Sequence, residues 1–144
     1  MLIIAHRGNT RGPSPDENNP AIIEGLLQQG MHVEVDVHYV YGSFYLGHNA
    51  PVYEVPQNWL LNDKLWCHAK HHDALQRLLE IDAHCFGHDG DDFVMTSRGY
   101  IWCHPRMATK THSGLLERSV LVMPANYDNA HSFYGVCADY TDIK

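Results

Sequence analysis

The run Val33-Glu34-Val35-Asp36-Val37 constrains this chain more than any other stretch. It alternates with period two, so it reads as a β-strand with valines on one face and carboxylates on the other. A helix cannot hold that pattern on one face. Similar short apolar runs recur along the chain, separated by polar or helix-like segments. Leu2 to Ala5 reads as a strand, followed by a loop through Pro13-Ser14-Pro15-Asp16. A helix starts near Asn18-Asn19-Pro20, with asparagine as cap and proline in the first turn. Ile22, Ile23, Leu26 and Leu27 give it one apolar stripe, and Gly30 ends it. Ser43–Leu46 and Leu65–Ala69 read as further strands, the first after a turn at Gly42. A short helix carries Leu75, Leu78 and Leu79. Later strands are expected at His84–Gly87, Phe93–Thr96, Tyr100–Cys103, Ser119–Met123 and Tyr134–Ala138. For Arg106 to Arg118 a poor helix and a loop both stay open.

Strand–helix–strand alternation points to a parallel α/β fold. A full eight-unit barrel usually needs roughly 250 residues. Eight units within 144 residues leave about 18 each, too few for a strand and a full helix. The expectation is therefore one domain over 1–144, an α/β fold of the shortened TIM-type parallel barrel with some helices replaced by loops.

The formal net charge is −7, which argues against a nucleic-acid backbone or an anionic membrane as the main partner. An acidic protein still binds a phosphate ester where a metal ion supplies positive charge. Cys67, Cys85, Cys103 and Cys137 form no C-x-x-C pair and read as reduced, buried thiols, which suits the cytoplasm. The N-terminal run is charged too early for a signal peptide, and no apolar run is long enough to span a membrane.

Chemistry concentrates after the early strands. His6-Arg7-Gly8 follows the first strand, Glu17 precedes the first helix, Glu34 and Asp36 share a strand face, and His48 ends Phe44-Tyr45-Leu46-Gly47-His48. In a parallel α/β fold, residues after strand ends gather on one rim. Two carboxylates on one face can share a hard divalent cation. Each residue alone also has a plain reading. Glu34 and Asp36 fit a solvent-facing strand, Glu17 a first-turn helix acid, and the histidines and Arg7 ordinary surface groups.

Taken in order, Ala5-His6-Arg7-Gly8, Glu17-Asn18-Asn19-Pro20, Glu34-Val35-Asp36-Val37 and Gly47-His48 resemble the signature of the glycerophosphodiester phosphodiesterases. That family carries H-R-G, P-E-N-T-like, E-x-D and H-D runs in this order. The resemblance implies a phosphoric diester hydrolase on an α/β barrel, with a divalent metal, usually Ca²⁺ or Mg²⁺, and a small phosphodiester substrate. It implies His6 and His48 as the acid–base pair, Arg7 as phosphate ligand, Glu34 and Asp36 as metal ligands, and Glu17 on or near the metal. Residues 3–51 carry most of the match. Lys70 fits the lysine of a later E-x-K strand and is the candidate for a second phosphate contact. Gly135 to Tyr140 is similar to the family's closing T-D-x-P strand.

Three departures stand out. Asn18-Asn19-Pro20 replaces the usual N-T, Asn49 replaces an aspartate after His48, and His68 replaces a carboxylate of the metal site. At His68 two alternatives are open: a ligand that favours Mn²⁺ or Zn²⁺ over harder ions, or no ligation at all. Two other readings compete with the enzyme. One is a non-catalytic phosphate-ester binding module on the same barrel. The other is a zinc site from Cys67, His68, Cys103 and His104, which strand geometry disfavours because neighbouring residues face opposite ways.

Overall fold

The computed structural model describes residues 1–109, 113–128 and 130–143. The chain forms β1 (Leu2–His6), α1 (Pro20–Gln28), β2 (His32–Val40), β3 (Ser43–Leu46), β4 (Tyr53–Val55) and β5 (Leu65–Ala69). It continues through α2 (His72–Glu80), β6 (Cys85–Gly87), β7 (Phe93–Met95), β8 (Ile101–Cys103), β9 (Ser119–Val122) and β10 (Gly135–Ala138). Short 3₁₀ turns cover Pro105–Thr109 and Ser113–Arg118. They answer the open question over Arg106 to Arg118 for the described part; residues 110–112 lie outside it.

The expected shortened TIM-type barrel is corrected. The architecture is one mixed, curled sheet, mostly strand, with two α-helices among the described residues. Seven strands run parallel in the order β6-β5-β2-β1-β10-β9-β8. Three more are antiparallel: β3 and β4 extend the far half of β2, and β7 pairs with β8. Among the described residues, α-helices occur in the β1–β2 and β5–β6 crossovers. In their described parts the other connections are hairpins, bends and 3₁₀ turns.

The sheet nevertheless curls like a barrel. Phe86 on β6 and Trp102 on β8, at opposite ends of the parallel path, have ring centroids 4.5 Å apart. Beside them the backbone N–H of Ser97 donates to the Cys85 carbonyl at 2.8 Å. Among the described residues no strand ladder joins β6 to β8.

The period-two patterns sort onto two faces. Ala5, Val33, Val35, Val37, Cys67 and Cys85 point outward and are covered by Ile23 and Leu27 of α1 and Ala74 and Leu78 of α2. Ile4, Trp66, Phe86, Trp102, Val120 and Cys137 point inward and fill the curl. A third cluster, with Leu116, Leu121, Phe133 and Val136, covers the outside of β9 and β10. The α1 stripe is narrower than the sequence suggests, since Ile22 is 41% exposed. Asn19 caps α1 by accepting from the Ala21 N–H at 3.0 Å. No helix among the described residues is long and apolar enough to cross a membrane. All four cysteines are free and buried.

Candidate metal and phosphate site

The inward parity that puts aromatics in the middle of the curl puts polar groups at its C-terminal end. His6 is two residues beyond Ile4, His68 two beyond Trp66, and Asp139 two beyond Cys137. Glu34 and Asp36 take the same face of β2. They are each 1% exposed, which overturns the reading of a solvent-facing strand.

Asp36 is braced from several sides. Asn18 accepts from the Asp36 backbone N–H at 2.9 Å and donates its Nδ2 to Oδ2 at 3.1 Å. Arg7 Nε lies 3.2 Å from the same oxygen, and His48 Nδ1 lies 3.5 Å from it. The other oxygen, Oδ1, faces His68 Nδ1 at 3.3 Å and Lys70 Nζ at 3.7 Å. Burial would raise this carboxyl. The contacts from His68 and Asn18 and the charges of Arg7 and Lys70 outweigh it and hold Asp36 below the ordinary carboxylate range. Glu34 goes the other way. Burial chiefly, then the Asp36 charge beside it, pushes its carboxyl well above the usual value. Its Oε2 accepts from the Arg7 backbone N–H at 3.1 Å.

Arg7 reaches this position because the chain turns sharply after β1. Arg7 and Gly8 both have positive φ, 55° and 79°. At Gly8 an added Cβ would also press on Ile23 Cγ1 at 3.1 Å. The guanidinium then donates Nη1 to Glu17 Oε2 at 3.1 Å and Nη2 to His48 Nε2 at 3.2 Å. Arginine has only donors, so His48 Nε2 must be an acceptor here. Burial, and next the Arg7 charge, lower the His48 pKa.

His6 is fixed differently. Its Nδ1 donates to Asp139 Oδ1 at 2.8 Å, which leaves Nε2 as the basic atom, 3.9 Å from Glu34 Oε2. Asn9 donates to both Asp139 and Glu17, at 2.8 and 2.9 Å. Those bonds from Asn9 and Arg7 overcome burial and lower the Glu17 pKa.

The residues expected at the site therefore gather on one rim: His6, Arg7, Glu17, Glu34, Asp36, His48, His68 and Lys70. Glu34, Asp36 and His68 are the three whose donor atoms converge, all within 4.8 Å of one another. Glu17 stands across Arg7 from them, bound to Arg7 and Asn9. The cysteine–histidine zinc reading finds no geometry here, because Cys67 packs in the outer core while His68 faces inward. Sequence reasoning missed Asp139, Asn9 and the bracing role of Asn18. For Asp139 a signal existed: it shares the parity of Cys137 and directly follows the last strand. A cleft of about 430 Å³ opens beside His68 and Lys70, lined further by His71, His88 and Asp91.

The donor set fits a divalent cation. Two carboxyl side chains and one imidazole converge on a buried point, a set that divalent ions accept. No family model matches the chain, and comparison with curated proteins and with solved structures returns no match.

Proposed function

We propose that the chain is a metal-dependent phosphodiesterase that hydrolyses a small phosphodiester, of the glycerophosphodiester class that its motifs resemble. The observation that carries this reading is the convergence of buried Glu34, Asp36 and His68 beside a histidine held with one free basic nitrogen. When bound there, a divalent cation neutralises charge on the phosphate oxygens. Arg7 and Lys70 add fixed positive charge, one at each oxygen of Asp36. His6 is set up as general base: Asp139 holds Nδ1–H, and Nε2 accepts a proton from the attacking hydroxyl. His48 is the general acid. A phosphate that draws the Arg7 fork away from His48 Nε2 removes the cation that suppresses protonation there. His48 can then carry the proton that the leaving alkoxide takes.

The contact between Arg7 and His48 also favours a second reading, a module that binds phosphate esters without turning them over. In that case Arg7 stays on His48 and no proton donor forms.

One experiment separates the roles. His6→Ala and His48→Ala are compared on a glycerophosphodiester and on a nitrophenyl phosphodiester, whose leaving group needs no acid. Each variant should lose about 10²–10⁴-fold on the first substrate. His48→Ala should recover much of its rate on the second, and His6→Ala should not. Equal impairment of both variants on both substrates removes the assignment. Binding of substrate with no hydrolysis of either by the unmodified protein selects the binding module.

A further inference from the structure

We propose that His68 ligates through Nδ1 and makes the site selective for a borderline transition ion of the zinc class over Mg²⁺ and Ca²⁺. The inference rests on the metal-site reading above and names the ion class of that site.

The argument starts from the other ring nitrogen. His68 Nε2 lies 3.2 Å from the backbone carbonyl of His88, which can only accept, so Nε2 carries the hydrogen. The ring is further fixed by stacking on Phe86, with centroids 5.1 Å apart and planes 7° from parallel. Nδ1 is thereby the ring atom turned to the carboxylates, and in the neutral ring it holds the lone pair that an ion can take. It lies 3.3 Å from Asp36 Oδ1 and 3.9 Å from Glu34 Oε1. A lone pair facing two carboxylate oxygens is repulsive unless a hydrogen or a cation stands between them.

The carboxylates point to the cation. Each has one oxygen already committed: Glu34 Oε2 to the Arg7 backbone, and Asp36 Oδ2 to Asn18. Glu34 Oε1 accepts no hydrogen bond among the described residues, although the side chain is almost wholly buried. That oxygen is therefore free to face an ion. Three single donor atoms remain, Glu34 Oε1, Asp36 Oδ1 and His68 Nδ1. Bonds of about 2.1 Å around a tetrahedral ion put donors about 3.4 Å apart, close to the spacing of Nδ1 from its neighbours.

This set suits some ions better than others. Ca²⁺ takes 6–8 oxygens and Mg²⁺ prefers carboxylate, phosphate and water. A fixed imidazole nitrogen with two single carboxylate oxygens suits Zn²⁺, and less strongly Mn²⁺. A second fixed nitrogen-to-carbonyl bond behind the ligand is the usual means of holding such a histidine.

The test reads binding, not turnover. Metal-stripped protein is titrated calorimetrically with Zn²⁺, Mn²⁺, Mg²⁺ and Ca²⁺, and with Co²⁺ followed by its visible spectrum. One tight site should appear for Zn²⁺, on the order of 10²-fold or more tighter than for Mg²⁺ or Ca²⁺. His68→Glu should close most of that gap and change the Co²⁺ spectrum. Asp36→Asn should remove the same site, which separates it from adventitious zinc on the chain's other histidines. His68→Gln, whose circular dichroism reports on folding, serves if the glutamate variant is unfolded; it should also weaken Zn²⁺ binding. Mg²⁺ or Ca²⁺ binding as tight as Zn²⁺, unchanged selectivity without His68, or zinc binding that survives Asp36→Asn each overturns the proposal. If zinc binds as described and no phosphodiester is hydrolysed, the ion class stands and the catalytic reading fails.

Discussion

Asp139 lies 133 residues from His6 in sequence, yet a 2.8 Å hydrogen bond joins them. The bond fixes which imidazole nitrogen is free, so Asp139 positions the base without touching substrate. Asp139→Asn keeps the size of the side chain and loses the carboxylate. It should lower kcat by about 10²–10⁴-fold, the scale of the acid–base contribution it supports, with KM little changed. Rate measurements on the asparagine variant check this, and an equal rise in KM with no fall in kcat contradicts it. His84 gives a second residue-scale prediction, on stability. It is 3% exposed, with Nε2 against Thr96 Oγ1 at 2.8 Å. Burial first, then the charges of Arg98 and His32, lower its pKa to about 4. The folded state therefore resists a proton that the unfolded chain accepts near its ordinary value of about 6.5. The stabilisation is complete above about pH 6.5 and is lost as pH falls towards about 4, at no more than about 1.4 kcal/mol per pH unit. His84→Gln should flatten that slope. Urea unfolding at pH 7.5 and pH 5 would show it, and identical slopes in the two proteins would exclude His84 as the cause.

At the scale of elements, the turn after β2 does the placing. Tyr41 and Gly42 both have positive φ, 55° and 75°, between paired residues Val40 and Ser43. That is the geometry of a two-residue hairpin turn whose twist matches its strands. The hairpin returns β3 alongside β2, and Gly47 and His48 arrive back beside Asp36. Gly47 donates to the Asp36 carbonyl at 3.2 Å and accepts from His38 Nε2 at 2.8 Å. A Cβ on Gly47 would sit 1.9 Å from the Ala50 carbonyl oxygen, so backbone would have to move. Gly47→Ala should lower turnover at least about tenfold, because a shift of about 1 Å at a reacting group is costly. It should leave α2 and the inner aromatic cluster folded. Near-ultraviolet circular dichroism and rate together check this; native rate in that variant would remove the turn from the argument. The same hairpin explains one error in reading the sequence. Gly42 was legible as a turn, but Ser43–Leu46 alone does not say whether its strand returns or crosses over. β4, with three residues and one exposed glutamate, has no alternation long enough to announce it.

At the scale of the molecule, parity was the legible part. Val33 to Val37 predicted two faces, and the curl uses both: outward valines under the helices, inward carboxylates above the aromatic filling. What parity could not predict was how much helix the crossovers hold. The β8–β9 connection, as long as the helical β5–β6 one, carries 3₁₀ turns in its described part, so length alone does not decide between loop and helix. The site was legible where several chemical residues sat in one run, as in His6-Arg7-Gly8. It was faint where a single ordinary residue is bound in by tertiary pairing, as Asp139 is to His6 and Asn9 across about 130 residues of chain. The curl has a further consequence. Its C-terminal end collects Glu34 and Asp36, with Arg7 and Lys70 against Asp36 and His68 completing a set that a cation can share. The most direct measurement follows phosphorus resonances of a glycerophosphodiester with chelator-stripped protein, before and after a divalent ion is added back. The stripped protein should leave the substrate intact, and adding Zn²⁺ or Mn²⁺ should start the release of a phosphomonoester. Full turnover by the stripped protein, or no turnover with any ion while the fold is intact, would contradict the account.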